Sequence, residues 1–443
     1  MRFGPSGGNC PKEKDPVKPH HHWLGKLRKG SSSFFKDLGP GVVTGAADDD
    51  PSGISTYSVA GAAFGPSILW TVLLTFPLMA AVQTMCARLA LVTGEGLAAT
   101  IRRRYPRWIL ITACLLLFVA NVANIGADLA GMAEAMAMVL PMPKIVWMVF
   151  FAVAIVFSLI FWSYRHLAQV FKWLTLVLFA YVLAAFLSRP DWGLVMRSTF
   201  VPTFSFDKGF LLVLAAILGT TITPYMFFWQ AAQEVEEEKA HGHKTLKSRR
   251  GATGEELRAA QKDVLTGMAW AGLAMYFIIL TTASTLHPKG ILEITSAKEA
   301  AEALRPLAGD GAYWLFTLGL VGAGMLAIPV LAGSAAYAVA EALHFPGSLD
   351  DKPKVGRKFY AVIVLAIGIG LLLNLFKVNG VQALFYSAVL NGILAPPLVA
   401  VVCALCADQS VMGDQRPGRL TRGLGWATVV IMAGVVLAFP FSA

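Results

Sequence analysis

The sequence predicts an all-α polytopic membrane protein, and three observations support that prediction. Of the 443 residues, 56% are hydrophobic and only 14% are charged, whereas soluble domains have roughly 25% charged residues. The mean hydropathy is +0.61. Apolar runs of about 20 residues, the length that a helix needs to cross a bilayer, recur from residue 40 almost to the end of the chain.

Eleven of these runs are long and apolar enough to be predicted spans. The first 35 residues precede them and are rich in Gly, Pro, Lys and His, without the apolar core of a signal peptide, so we predict a disordered cytoplasmic tail over residues 1–35. The predicted spans lie at about residues 40–64, 67–93, 108–138, 145–162, 167–187, 209–232, 264–285, 312–342, 359–376, 380–406 and 424–441.

The basic residues predict how the chain is oriented. They cluster in the tail and after every even-numbered span, as in Arg102, Arg103, Arg104 and Arg107 after the second, whereas the other loops carry scattered charges such as Lys144. The excess of Lys and Arg marks the cytoplasmic side. We therefore expect a multi-pass protein of the plasma (inner) membrane with its N-terminus inside and its C-terminus outside. The net charge of +10 is thus a topology signal, and we expect no nucleic-acid partner.

Spans one to five and six to ten form two halves with an odd number of helices each. The second half must then run inverted relative to the first. We predict one repeat over residues 36–190, a second over 191–408 and the last span within 409–443. In both halves the first span carries small residues and then a polar residue directly before proline, Asp50-Pro51 and Thr223-Pro224. Matching interrupted spans indicate the binding site of a transporter.

The residues around these two prolines predict broken helices. Pro51 and Pro224 each remove a backbone donor, and Gly53 adds conformational freedom. Unpaired carbonyls at membrane depth need protein, water or an ion as a partner. Two alternatives stay open here: Asp48, Asp49 and Asp50 lie at a water-exposed helix end, or the second break is a plain kink with the Thr223 hydroxyl bonded to its own helix.

The side chains at the predicted breaks offer oxygen ligands. Asp50 supplies a carboxylate, Ser52 and Thr223 supply hydroxyls, and residues such as Thr220 supply carbonyls. Hard divalent ions such as Mg²⁺, Mn²⁺ and Ca²⁺ prefer oxygen, whereas sulfur favours softer metals. The pattern predicts a site for a hard divalent cation that keeps part of its water.

The motifs Gly39-Pro40-Gly41, Asp50-Pro51-Ser52-Gly53 and Ala60-Gly61-Ala62-Ala63-Phe64-Gly65 resemble the Nramp divalent-metal transporter family over most of residues 39–407. This resemblance implies a LeuT-type fold with a 5+5 inverted repeat, eleven transmembrane helices, and broken helices one and six. It also implies that Asp50 is the metal-binding aspartate and that the carbonyl of Thr220 joins the metal in some states. Gly53 replaces the family's metal-binding asparagine and Thr223 its methionine ligand.

Other departures favour the magnesium transporter branch related to that family. Tyr225 and Gln230 stand where the family has histidines. Asp128 keeps the first acid of the family's Asp-Leu-Ala-Glu, but Gly131 replaces the second. Proton relays need titratable groups along a path, so we expect no proton coupling. Residues that could line the pathway are Asp49, Ser52, Tyr225, Gln230, Asp128 and Asn391, with Gln83, Asn121, Asn124 and Tyr386 as weaker candidates and Glu95 and Glu341 as vestibule or gate residues.

These observations predict a transporter that imports Mg²⁺, and also Mn²⁺, by alternating access. The alternatives are a proton-coupled Mn²⁺/Fe²⁺ symporter of the Nramp type and a Na⁺-coupled amino-acid transporter of the LeuT-type fold. An enzyme is disfavoured because the histidines fall in tails, loops or a span start. We expect no cofactor beyond the transported ion, a lipid bilayer around the chain and no obligate protein partner.

Overall fold

The computed structural model describes residues 39–161, 176–351, 355–374 and 379–441. The predicted tail, residues 1–35, lies outside the described residues, as does the segment 162–175 between the fourth and fifth predicted spans. In the described part of the chain the regular secondary structure is entirely helical. The fold class predicted from composition, all-α, is confirmed.

Nineteen α-helices, labelled here in chain order, make up the described residues. The first half contains α1 Pro40–Asp48, α2 Pro51–Phe64, α3 Trp70–Thr93, α4 Leu97–Arg104, α5 Arg107–Val139, α6 Lys144–Phe161, α7 Phe179–Leu187 and α8 Trp192–Phe200. The second half contains α9 Lys208–Thr221, α10 Pro224–Ala240, α11 Leu246–Arg249, α12 Gly254–Thr285, α13 Ala297–Ala301, α14 Arg305–Ala308, α15 Ala312–Leu343, α16 Arg357–Leu373, α17 Gly380–Ala407, α18 Gln409–Met412 and α19 Arg419–Ala438.

Eight helical segments among the described residues are long and apolar enough to cross a membrane. Three predicted spans are not among them, each for a visible reason. The first is divided into α1 and α2, with 9 and 14 residues. The fifth is described in α-helical form only over the nine residues of α7, and α16, the ninth, has 17 residues. The eight segments make the chain a multi-pass membrane protein, while eleven spans and an inverted repeat stay predictions.

The outer helices present apolar faces. On α6, the exposed side chains include Val149, Phe150, Val153 and Phe157, which are 43–61% exposed. These side chains form an apolar stripe on a helix that spans a bilayer. The stripe faces lipid, because contact between an apolar surface and water is unfavourable.

The predicted interruptions of the first and sixth spans are confirmed. Between α1 and α2, Asp49 and Asp50 leave the helical conformation, with ψ of 51° and 171°, and Pro51 begins the next helix. Between α9 and α10, Ile222 and Thr223 do so with ψ of 61° and 135°, and Pro224 begins α10. The prolines start helices here, where their missing N–H costs nothing.

Glycines allow the broken helices to pack closely against their neighbours. A Cβ atom on Gly45 of α1 would overlap the carbonyl of Gly267 on α12, and one on Gly219 of α9 would overlap the Ala388 carbonyl on α17. These contacts leave no room for any larger residue. They hold α1 against α12 and α9 against α17, and so place both breaks inside the helix bundle.

Candidate functional site

Asp50 is organised by the helix that follows it. Its side chain is 2% exposed, and its Oδ1 atom accepts hydrogen bonds from the Gly53 backbone N–H at 2.7 Å and from the Ser52 hydroxyl at 2.6 Å. Asp50 is therefore the N-cap of α2, a role that its position directly before Pro51 favours. The cap fixes the carboxylate at the break.

The two helix breaks meet at Ser52, Gly53 and Thr220. The hydroxyl oxygens of Ser52 and Thr220 lie 3.4 Å apart. A Cβ atom on Gly53 would lie 3.3 Å from the Thr220 hydroxyl and 3.3 Å from the Asp48 carbonyl oxygen. Four of the predicted site residues, Asp50, Ser52, Gly53 and Thr220, are thus neighbours in space, although Thr220 follows Gly53 by 167 positions in the chain.

The Thr223 hydroxyl bonds within its own segment, which is one of the alternatives that the sequence left open. Its hydroxyl donates a hydrogen bond to the Thr220 carbonyl oxygen, at 2.7 Å, within its own segment. The hydroxyl oxygen keeps its lone pairs, because a hydroxyl donates one hydrogen and can still accept. Thr223 and the Thr220 carbonyl therefore act as one bonded pair in this conformation rather than as two separate ligands.

Tyr225 and Gln230 connect α10 to α1. The Tyr225 hydroxyl donates to the Ala47 carbonyl oxygen at 2.8 Å, next to the break in the first span. Gln230 accepts a hydrogen bond from the Thr44 hydroxyl at 2.6 Å and donates to Glu234 at 2.9 Å. Tyr225 thus borders the break, whereas Gln230 cross-links the two half-helices further along α1.

Three further aspartates are buried near Asp50. Asp48, Asp49 and Asp128 are 1%, 6% and 0% exposed. Within the described residues, both carboxylate oxygens of Asp48 and Asp128 and the Oδ1 of Asp49 have no hydrogen-bond partner. This burial contradicts the alternative of a water-exposed helix end. Buried carboxylates without partners are costly, and a cation would be a favourable partner for them.

Asn391 lies on α17, where it contacts the polar face of α5. Its side-chain nitrogen donates to the side-chain oxygen, Oδ1, of Asn124 at 3.1 Å. Asn121, one turn earlier on α5, donates to the Leu331 carbonyl on α15 at 2.8 Å. These amides join α5, α15 and α17 in interhelical hydrogen bonds, the usual role of such residues in membranes.

The remaining candidates have different outcomes. Tyr386 is 58% exposed, so the hypothesis that it lines a pathway is wrong: it lies on the outer face of α17. Glu95 forms an ion pair with Arg103 at 2.9 Å. Glu341 accepts a hydrogen bond from the Ala99 N–H at 3.1 Å. Both glutamates therefore fasten α4 to its surroundings.

Two further residues concern the surroundings of the site: Gly131, where the sequence departs from the family pattern, and Tyr57. A Cβ atom on Gly131 would lie 2.5 Å from a methyl carbon of Leu384 on α17, so a larger residue there requires the Leu384 side chain to move. Sequence reasoning missed Tyr57, whose ring would lie 3.4 Å from a Cβ on Gly53. Its spacing of four residues from Gly53 on α2 was the available signal.

Oxygen is the element that the meeting point offers. Among the described residues, no group of three or more His, Cys, Asp or Glu side chains is arranged to hold a metal ion. At the breaks themselves the oxygens are those of the Asp50 carboxylate, the hydroxyls of Ser52 and Thr220, and backbone carbonyls. Such a set suits a hard ion that keeps several waters.

Known proteins are similar to this chain over most of its length. A family model described as natural resistance-associated macrophage protein-like (Nramp) matches residues 41–442. A protein of Verminephrobacter eiseniae named divalent metal cation transporter MntH is 28% identical over 402 residues, which cover 87% of this chain and 84% of the relative. A protein of the same name from Klebsiella pneumoniae subsp. pneumoniae is 26% identical over 403 residues, 90% of this chain and 92% of the relative.

Two kinds of solved structure are similar to the fold. The crystal structure of the Eremococcus coleocola manganese transporter, in complex with an aromatic bis-isothiourea substituted compound, superposes with a TM-score of 0.75 at 19% identity, covering 94% of this chain and 89% of that one. Mhp1, a nucleobase-cation-symport-1 family transporter in a closed conformation with bromovinylhydantoin bound, gives 0.54 at 15% identity and 91% coverage of both chains. At these identities the likeness concerns the fold alone.

Proposed function

The chain belongs to the Nramp family, whose model matches residues 41–442, and from this premise we propose that it is a transporter of divalent metal cations. One observation supports this most directly. Two broken helices meet, through Ser52 and Thr220, next to the buried carboxylate of Asp50. Helix breaks at membrane depth expose carbonyls and hydroxyls that a cation satisfies well.

Within that function we propose Mg²⁺, and also Mn²⁺, as the imported ions. The available ligands at the breaks are oxygens, and Thr223 stands at the position where the Nramp pattern has a soft methionine. Mg²⁺ gives up water reluctantly, and Gly53 leaves space beside Asp50 because it has no side chain. In this proposal Asp50 is the anionic ligand, Ser52, Thr220 and Thr223 contribute oxygens, and the carboxylates of Asp49 and Asp128 attract the hydrated ion.

The proposed topology is the 5+5 inverted repeat with eleven spans, N-terminus inside and C-terminus outside. The two repeats are residues 36–190 and 191–408, and the last span lies within 409–443. Alternating access then consists of movement of the broken helices about the central site. Support comes from the matching breaks before Pro51 and Pro224.

Transport in this proposal is not coupled to protons. Tyr225 forms a hydrogen bond to Ala47, Gln230 does not titrate, and Gly131 has no carboxylate. The membrane potential is sufficient to drive uptake: two charges moved through 100 mV release about 4.6 kcal/mol, at about 2.3 kcal/mol per charge.

Uptake into liposomes tests the proposal. Purified protein is reconstituted, Mg²⁺ or Mn²⁺ is added outside under an inward-negative potential, and a dye inside the liposomes records pH. We expect entry of both ions without acidification of the lumen, and loss of entry in Asp50→Ala. Asp310→Ala is the matched control, because the Asp310 side chain is 94% exposed.

The two alternatives give different results in the same system. Acidification in step with cation entry would replace the proposal with a proton-coupled Mn²⁺/Fe²⁺ symporter. Titration calorimetry that detects amino acids and Na⁺ but neither Mg²⁺ nor Mn²⁺ would replace it with an amino-acid transporter. Full uptake by Asp50→Ala would remove Asp50 from the site.

A further inference from the structure

Asp263, on α12, binds the amino end of α1. Its Oδ2 atom accepts a hydrogen bond from the Gly41 N–H at 2.6 Å. No side chain of α1 itself caps this end. The first N–H groups of a helix need acceptors, and a carboxylate there is stabilised by the helix dipole. Asp263 is therefore the cap of a helix from another part of the chain.

Glu134, near the end of α5, also binds the amino end of α17, where the Asn379 side chain already accepts from the N–H groups of Val381 and Gln382. Its Oε2 atom accepts from the Gly380 N–H at 3.0 Å and from the Lys144 ammonium group at 3.0 Å. Its Oε1 atom accepts from the Ala297 N–H at 3.3 Å, the first residue of α13. The side chain is 7% exposed. One carboxylate thus fastens α17 and α13 to α5.

These two carboxylates lie at opposite faces of the bundle. The start of α12 lies beside the end of α3, where the Gly251 N–H donates to the Val92 carbonyl oxygen at 3.1 Å. After the end of α3, the chain passes through α4 and enters α5 at that same face. Helix α5 has 33 residues, about 50 Å at 1.5 Å per residue, and Glu134 lies near its far end.

Each of the two bound segments ends at a hinge. Helix α1 stops at the break of Asp49 and Asp50. Helix α17 contains Pro396 and Pro397, which have no N–H and leave helix carbonyls without partners one turn earlier. Broken or proline-containing positions are where helices bend. Helix α1 and the first half of α17 can therefore each move as a unit.

We propose that Asp263 and Glu134 are positioning residues that latch these two hinged segments, one at each membrane face, and so set the balance between the states open to either side. The inference rests on the proposed function, in which the broken helices move about the ion site. Helix α1 is half of one broken span, and α17 packs against α9, beside the second break, at Gly219. When α1 swings out, the bond from its amino end to Asp263 breaks. When the first half of α17 swings out, the bonds to Glu134 break. Hydrogen bonds to a carboxylate are the stronger kind, so each latch stabilises the closed position of one gate.

Alkylation of reporter cysteines tests the latches in the full-length protein. In a background with the five cysteines replaced by alanine, Ala47→Cys reports on α1 and Ala388→Cys reports on α17, since both positions are buried. We expect Asp263→Ala to speed the reaction of Cys at position 47 with a water-soluble maleimide roughly tenfold and to leave position 388 unchanged or slower. Glu134→Ala is expected to do the reverse.

Conservative variants separate a latch from a general loss of structure. Asp263→Asn and Glu134→Gln keep one acceptor oxygen, so they are expected to give intermediate rates at the same reporter. Equal acceleration at both reporters, or none at either, would overturn the proposal. Mn²⁺ uptake is measured in parallel: no uptake by the unsubstituted protein with a normal reporter response would refute the proposed function and leave the latches standing.

Discussion

The Tyr225 hydroxyl donates a hydrogen bond to the backbone carbonyl of Ala47, 2.8 Å away, and so joins α10 to the last turn of α1. Both groups are fully enclosed by protein, with Tyr225 0% exposed. Tyr225→Phe removes the donor and leaves the carbonyl without this partner, so we expect the free energy of unfolding to fall by about 1–2 kcal/mol. Thermal unfolding in detergent measures it. Tyr386→Phe is the control, since Tyr386 is 58% exposed, and an equal loss in both variants would contradict this role for Tyr225.

Asp50→Asn separates the charge of Asp50 from its role as a helix cap. The asparagine oxygen can still accept from the Gly53 N–H, so α2 keeps its start, and Asn is a good N-cap residue. The negative charge that binds the divalent ion is lost, and we expect Mg²⁺ and Mn²⁺ uptake to fall at least roughly tenfold, by loss of a charge-assisted contact. Initial rates in liposomes check this against Asp310→Asn. Uptake at the normal rate would mean that the cap, rather than the charge, is what the site requires.

Gly53→Ala tests whether the ion keeps its water. The added Cβ atom would lie 3.3–3.4 Å from the Asp48 carbonyl, the Thr220 hydroxyl and the Tyr57 ring. These contacts are tight without a severe overlap, so the protein is expected to fold. Space beside Asp50 shrinks, and because Mg²⁺ holds water more strongly than larger divalent ions do, we expect Mg²⁺ uptake to fall several times more than Mn²⁺ uptake. Competition between the two ions at fixed Mn²⁺ measures the ratio, and an equal loss for both would argue for direct coordination of dehydrated ions.

Gly267→Ala tests the close contact between α1 and α12. The added methyl group would overlap the Gly41 carbonyl, and such overpacking costs about 1–3 kcal/mol. We expect a lower thermal midpoint and weaker uptake, because the added methyl group displaces α1 from its packed position on α12. In Gly434→Ala, by contrast, the new Cβ atom has no neighbour within 4 Å in the described part of the chain, and the change to alanine in a helix adds about 0.5–1 kcal/mol of stability. A gain in stability in both variants would show that helix propensity, rather than packing, governs the effect at Gly267.

The Asp408 carboxylate, in the loop after α17, carries a pH prediction. Hydrogen bonds from Ser410, and then from Arg104, lower its pKa to about 2 from the usual 3.8. A carboxylate with a depressed pKa in the folded state stabilises the protein above its ordinary pKa, and this contribution is lost as the pH falls through about 2. We therefore expect the effect of Asp408→Asn on the thermal midpoint to be the same at pH 5 and pH 8. A difference that grows between these values would show that Asp408 titrates there.

The helix breaks could be read from the sequence because their causes are local. Pro51 and Pro224 each remove a backbone donor and disfavour continuation of the preceding helix, and Asp50 needs only its neighbours Ser52 and Gly53 to form its cap. From the sequence, the Thr223 hydroxyl could either bind the ion or donate a hydrogen bond within its own helix. In the structure it donates to the nearby Thr220 carbonyl oxygen.

The position of Tyr386 could not be read in the same way. On α17, apolar residues cover nearly every face, so no periodic pattern indicates which side chains face lipid and which face the bundle. The sequence placed Tyr386 and Asn391 together as candidates for lining a pathway. Only Asn391 is buried, with Asn124 as its partner.

Composition, apolar length and proline placement by themselves determined that this chain is helical, crosses a membrane several times and interrupts two helices beside oxygen-bearing side chains. Each of these properties depends on the residues of one segment and on whether that segment is surrounded by lipid or by water. Tertiary structure decided that Asp263 would cap a helix 222 residues away, that Tyr225 would bond to Ala47, and that Ser52 would meet Thr220. Such pairings depend on how closely the helices pack. Close contacts at glycines and bonds at helix ends determine that packing, and both form only when the whole bundle has assembled.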